Sequence, residues 1–125
     1  MAAKDGLART LSPSSVAVIG ATANKQKLGY SLFSNIITGG YKGRLFAVNP
    51  SYNNILGIDC YPSILDVPDA VDLAVIIVPS SAVLKVVEEC AEKRVAGAVI
   101  ISAGFKEIGD EGAALEKRLL RRQRT

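Results

Sequence analysis

The sequence predicts an α/β fold, a Rossmann-like doubly wound parallel sheet. Two observations carry that prediction. Short apolar runs alternate with segments of helical periodicity along the whole chain. A glycine-bearing turn also joins the first such run, Ser15-Val16-Ala17-Val18-Ile19, to the first helix. At 125 residues the chain has room for one core. The expected division is a leader over residues 1–10 and a single domain over 11–125.

Element by element, Ser15 to Ile19 reads as the first strand. Leu28 to Thr38 reads as a helix, with Leu28, Leu32, Phe33, Ile36 and Ile37 on its apolar face, ended by Gly39-Gly40. Arg44 to Val48 is the second strand, stopped by Asn49-Pro50. Pro62, Asp66 and Pro68 bracket a helical turn around Ser63 to Leu65. The third strand, Leu73 to Val78, is apolar throughout, as a strand covered on both faces should be. After Pro79, Ser80 or Ser81 is positioned to cap a helix whose stripe is Val83, Val86, Val87, Cys90 and Ala91. Gly97 leads into the fourth strand, Ala98 to Ile101, and a last helix runs from Gly109 or Asp110 to Arg122. Right-handed crossovers suggest a strand order 3-2-1-4. The chain stops where a fifth strand is expected, so the domain reads as truncated before its last strand. One edge is then open or covered by another chain, and a homodimer through that edge is one possibility.

Composition removes several functions. Fifteen basic residues against 12 acidic ones give a net charge of +3, and much of the excess lies in the last eight residues. No basic face interleaved with aromatics points to nucleic acid. No apolar run approaches the ~20 residues of a membrane span, and no signal peptide opens the chain. Cys60 and Cys90 lack a C-x-x-C spacing and read as buried, reduced thiols of a cytoplasmic protein. Histidine is absent, which removes the commonest general base and metal ligand; no metal site and no catalytic residue are expected.

Ligands of open parallel sheets lie across the carboxyl ends of the strands. Four segments fall there: 20–29, 48–52, 78–80 and 102–105. The first, Gly20-Ala21-Thr22-Ala23-Asn24-Lys25-Gln26-Lys27-Leu28-Gly29, combines a strand-to-helix turn with two lysines and a threonine hydroxyl. Backbone N–H groups and the positive end of a helix there favour an anion. The segment is neither G-x-G-x-x-G nor a phosphate-binding G-x-x-x-x-G-K-S/T loop. The second strand ends in Asn49, where nicotinamide-binding domains place an acid for the ribose diol. An uncharged end with lysines nearby tolerates an additional phosphate, which suits coenzyme A, with its phosphorylated ribose, better than NAD.

Each of these residues also has a plainer reading. Lys25 and Lys27 serve equally as solvated loop charges, Thr22 as a helix cap, Asn49-Pro50 as a strand stop and Tyr52 as sheet-edge packing. Phe105 reads as a core anchor for its loop, and the C-terminal arginines as the wet face of a helix.

Several segments together resemble one family. They are 15–22 with Lys27-Leu28-Gly29-Tyr30, Gly43, Val48-Asn49-Pro50, Ile55-Leu56-Gly57, Cys60-Tyr61-Pro62-Ser63, 71–75 running into Val78-Pro79, and Ile100-Ile101-Ser102-Ala103-Gly104-Phe105. In this order, from about Leu11 to Leu120, the chain is similar to the N-terminal CoA-binding domain of the NDP-forming acyl-CoA synthetases. That group includes acetate–CoA ligase (ADP-forming) and resembles the start of the succinyl-CoA synthetase alpha subunit. The resemblance implies coenzyme A or an acyl-CoA as ligand. Gly20, Ala21, Thr22 and Lys27 would lie at its pyrophosphate or ribose phosphate, with Lys25 and Gly29 of the same loop also expected to bind it, and Asn49, Pro50 and Tyr52 along the adenosine. Val78, Pro79 and Ser80 would meet the middle of the molecule, and Ser102, Ala103 and Gly104 would close the site.

The family's reaction passes through an acyl phosphate and a phosphorylated histidine on a later domain, with nucleotide bound on a separate grasp domain. This chain has no histidine, so it is expected to bind without catalysing and to work with the remaining domains or subunits of a synthetase. Other readings are a stand-alone CoA-binding protein, the regulatory domain of a protein lysine acetyltransferase, and an NAD-binding redox module.

Overall fold

The computed structural model describes residues 12–101, arranged as one six-stranded sheet with a helix on each face. In chain order the elements are β1 (Ser15–Ile19), α1 (Leu28–Thr38), β2 (Arg44–Val48), β3 (Asn54–Ile55), β4 (Ile58–Tyr61), a 3₁₀ turn (Ile64–Asp66), β5 (Leu73–Ile76), α2 (Ser80–Lys93) and β6 (Gly97–Ile100). The sheet order is β3-β4-β2-β1-β5-β6. All pairings are parallel except that of the β3–β4 hairpin. β1 lies in the middle, with Ala17 opposite Phe46 of β2 on one side and Ala74 of β5 on the other.

This order corrects the expected 3-2-1-4. The strand at Leu73 lies beside β1, on the side away from β2, and the place next to β2 is taken by β4, which the sequence reading missed. The hairpin's turn is Leu56-Gly57, with φ +53° and +84°, a two-residue loop with both residues in the left-handed region. Its strands have two and four residues, too short for periodicity to reveal. The chain then crosses the sheet through the 3₁₀ turn, whose start Ser63 caps by accepting the Leu65 N–H at 3.2 Å.

β1 is buried along its length, and its alternation divides the core. Val16 and Val18 pack with Phe33 of α1, Ala47, Ile55 and Cys60. Ala17 and Ile19 pack on the other face with Val83, Val86, Val87 and Cys90 of α2 and Ile64 of the 3₁₀ turn. The start of β1 is held by polar contacts. Buried Ser15 donates to the Ala70 carbonyl and accepts from the Asp72 N–H, both at 2.9 Å. The Ser14 N–H donates to the Asp72 carboxylate at 2.9 Å.

α1 has its expected bounds, but its buried face is narrower than expected. Phe33 is buried and Leu32 and Ile36 are partly so, whereas Leu28 and Ile37 are exposed. At about 100° per residue, Leu28 lies far round the helix from Phe33. Neither Ser80 nor Ser81 caps α2. Pro79 is the cap residue, its carbonyl accepting from the Ala82 N–H at 2.9 Å, and Ser80 is the first helical residue. α2 ends at Arg94, in the left-handed region at φ +64°. β5 stops two residues earlier than expected, at Ile76, although the Ile77 N–H still reaches the Ile19 carbonyl at 2.7 Å. β6 spans Gly97–Ile100, one residue before the expected run, and stands at the sheet margin among the described residues. The expected leader and last helix fall outside the described residues.

Two predictions follow from this packing. Leu56→Asn should stabilise the domain by about 0.5–1 kcal/mol, because asparagine enters the left-handed region more readily and half-exposed Leu56 has little burial to lose. Thermal denaturation should show a rise of a few degrees; an unchanged or lower melting temperature contradicts it. The second concerns alkaline pH. Burial, and then the neighbouring Glu89 charge, push the Cys90 thiol up to about 12 from 9.0. The unfolded chain therefore loses this proton first, so the contribution is complete below about pH 9 and declines as pH rises toward 12. Cys60 and Tyr41 shift in the same direction, also led by burial. Cys90→Ala should flatten, without abolishing, the fall in urea-unfolding free energy between pH 9 and 11. An unchanged slope would refute the assignment.

Candidate functional site

At the carboxyl end of the sheet lies an open cleft of about 910 Å³. It sits where β1 and β5 diverge, the point at which the chain leaves one strand for α1 on one face and the other for α2 on the opposite face. That is where open α/β sheets hold their ligands.

The loop after β1 forms one wall. Gly20, Thr22, Lys27, Leu28 and Gly29 line it. Gly20 has φ +103°, and a Cβ there would fall inside the Ile77 carbonyl at the end of β5. A Cβ on Gly29 would fall on the carbonyl oxygen of Gly20. The first turn of α1 therefore lies directly on the loop, its positive end at the cleft. Thr22 is buried. Its hydroxyl accepts the Asn24 N–H at 3.2 Å and pairs with the Tyr52 hydroxyl at 3.0 Å, so it shapes a turn and does not cap the helix.

Asn49 ties the second loop to the first. Its amide nitrogen donates to the Ala21 carbonyl at 2.9 Å, and its amide oxygen accepts the Ser51 N–H at 2.9 Å. Its backbone N–H reaches the Tyr61 carbonyl at 2.9 Å, which fixes β4 to the same corner. Pro50 lines the cleft beside it, and Pro62 and Ser63 join from the connection after β4. Opposite stand Val78, Pro79 and Ser80 at the entry to α2, followed along one helical face by Ala82, Lys85, Val86 and Glu89.

Of the residues expected from sequence, Gly20, Thr22, Lys27, Gly29, Asn49, Pro50, Val78, Pro79 and Ser80 meet around one cleft. Ala21 is fully buried beneath the loop and Tyr52 packs behind it against the α1-side core. Lys25 is exposed and stands off the lining. Ser102, Ala103 and Gly104 lie outside the described residues. Sequence reading missed Pro62 and Ser63, because their strand was missed, and also Lys85 and Glu89. The signal for that pair was present: positions 82, 85 and 89 recur at helical spacing on the face beside the buried stripe.

The cleft is mainly apolar between its polar ends. It has no group of three or more metal-ligating side chains among the described residues. Its size is near the upper end of the ~300–1,000 Å³ usual for small-molecule sites. A positive helix end, Lys27 and a close-approach glycine turn suit phosphate at one wall, and prolines and valines suit uncharged parts beyond it.

The CoA binding domain family matches this chain over residues 14–122. The chain belongs to that family. Within it, the chain is 52% identical over 112 residues to acetate–CoA ligase (ADP-forming) I of Archaeoglobus fulgidus, an alignment covering 90% of this chain and 16% of the ligase. It is 45% identical to the alpha subunit of acetate–CoA ligase (ADP-forming) I of Pyrococcus furiosus, over 86% of this chain and 24% of the subunit. The apo structure of an acetyl-coenzyme A synthetase from Candidatus Korarchaeum cryptofilum superposes with a TM-score of 0.83 at 43% identity, over 94% of this chain and 25% of the synthetase. This CoA-binding domain thus corresponds to a sixth to a quarter of those relatives' lengths. No helix among its described residues is long and apolar enough to cross a membrane.

Two substitutions test whether the loop is built as described. Gly20→Ala should destabilise the ligand-free domain by about 3 kcal/mol or more, since both the φ and the Ile77 carbonyl oppose a side chain. Asn49→Asp should cost about 1–3 kcal/mol without any ligand, because it replaces the donor to Ala21 with a carboxylate oxygen. Urea denaturation of the free domain measures both; stability equal to the parent in either variant would contradict the packing.

Proposed function

We propose that this domain binds coenzyme A or an acyl-CoA as the CoA-binding domain of an ADP-forming acyl-CoA synthetase, and is not catalytic alone. The observation that carries the reading is the cleft where β1 and β5 diverge. There the α1 end, Lys27 and the Gly20 turn face a mainly apolar wall in a chain of the CoA-binding-domain family. The pyrophosphate lies against Gly20, Thr22, Lys27 and Gly29, with Ala21 and Lys25 completing the loop. The adenosine runs along Asn49 and Pro50, with Tyr52 supporting them from behind. The pantetheine arm passes Val78, Pro79 and Ser80, and Ser102, Ala103 and Gly104 are the remaining contacts expected from the resemblance. The site fits coenzyme A better than NAD because the second strand ends in an amide, already engaged with Ala21, where a free ribose diol would need a carboxylate.

The proposed ligase reaction also needs a phosphoryl relay that this chain cannot supply, since it contains no histidine. Its chemical contribution is to bind and orient the thioester or thiol for the remaining domains or subunits. The names of the relatives, acetate–CoA and 4-hydroxybutyrate–CoA ligases, support carboxylic acids as the substrate class of the proposed parent enzyme. The proposed setting is the cytoplasm.

Thermal denaturation with coenzyme A, acetyl-CoA, NAD and ADP in parallel tests the reading. Coenzyme A at about 100 times its Kd should add roughly 2.7 kcal/mol of stability. Lys27→Ala should leave the free domain's melting temperature unchanged and weaken coenzyme A by about tenfold, the loss expected for one charge-assisted hydrogen bond. A larger shift with NAD than with coenzyme A, or no loss in Lys27→Ala, would overturn the proposed ligand or its placement.

A further inference from the structure

We propose that Lys85 and Glu89 hold the amide-bearing pantetheine arm of the ligand, and so read the part of coenzyme A that adenine nucleotides lack. This deepens the reading above and rests on it. Both residues line the cleft on α2, one helical turn apart, on the wall opposite Lys27. On the α2 side of the sheet the lining also includes the apolar Val78, Pro79 and Val86.

The chemistry of the pair selects among parts of the ligand. A phosphate on this wall would gain from Lys85 and be repelled by Glu89, so the two together make a poor anion site. A purely hydrocarbon arm would leave both charges without use. Pantetheine has two amide groups on a flexible, mostly apolar chain, each offering one N–H donor and one carbonyl acceptor. An ammonium and a carboxylate a turn apart match these, the ammonium donating to a carbonyl and the carboxylate accepting an N–H. Helical side chains lean toward the helix N-terminus, which carries both groups back along α2 toward Pro79 and Ser80. The helix that carries both residues is anchored from beneath: Cys90 is fully buried in the core, and Val86 is buried as well. Because α2 is anchored through that stripe, the two polar heads stand on a fixed helix face and not on a loop.

The test compares coenzyme A with adenosine 3′,5′-bisphosphate, which keeps the adenosine and two phosphates and lacks the pantetheine arm. Isothermal titration of the parent domain, Lys85→Ala, Glu89→Gln and Lys27→Ala with both ligands separates the possibilities. Lys85→Ala and Glu89→Gln should each weaken coenzyme A by about tenfold and leave the bisphosphate unchanged. Lys27→Ala should weaken both ligands alike. Equal loss of both ligands in Lys85→Ala, or tighter binding of both in Glu89→Gln, would place a phosphate on this wall and overturn the inference, as would unchanged affinities in both α2 variants. Failure of coenzyme A to bind the parent domain would instead overturn the coenzyme A reading and this inference with it.

Discussion

The ligand-facing end of this domain depends on one close passage of backbone over backbone, where the chain leaving β1 crosses the end of β5. Gly20 passes so near Ile77 that no side chain fits between them, and Gly29 seats the first turn of α1 on Gly20 itself. The pairing of β1 with β5, extended by the Ile77 N–H to Ile19, brings the two strands to that point. The glycines of the first loop are thus required by the fold before any ligand arrives. The open backbone that the proposed phosphate would approach is a by-product of packing that the sheet demands on its own account.

Asn49 extends the same constraint sideways. By holding the Ala21 carbonyl with its side chain and Tyr61 with its backbone, it locks three loop ends into one rim. An acid at this position, the usual choice for a free ribose, would set an oxygen against an oxygen. The absence of a carboxylate is therefore a structural matter, whatever ligand the cleft holds. The Thr22–Tyr52 hydroxyl pair closes the rim from behind, which explains why Tyr52 sits outside the cleft although it belongs to the right loop.

The long elements were legible in the sequence because their signals are local. β1, β2 and α1 have the bounds that apolar runs and flanking turn residues indicate, and the buried stripe of α2 follows its valines and Cys90. The sheet order was not legible, because it turns on the hairpin at Leu56-Gly57, whose two-residue outer strand carries too little pattern to register. That omission moved the Leu73 strand to the wrong side of β1 and hid Pro62 and Ser63 from the site. Lys85 and Glu89 escaped for another reason. A helix beside a cleft has both a core face and a ligand face, and polar residues on the second read in sequence as ordinary solvent contacts.

The same hairpin governs how the sheet ends. Its outermost strand, β3, offers only Asn54 and Ile55 before the chain turns back. Amyloid-like stacking and strand exchange need a longer row of free backbone donors and acceptors than two residues supply. Brevity alone therefore blunts this margin of a strongly apolar sheet, with no proline or inward charge needed to guard it.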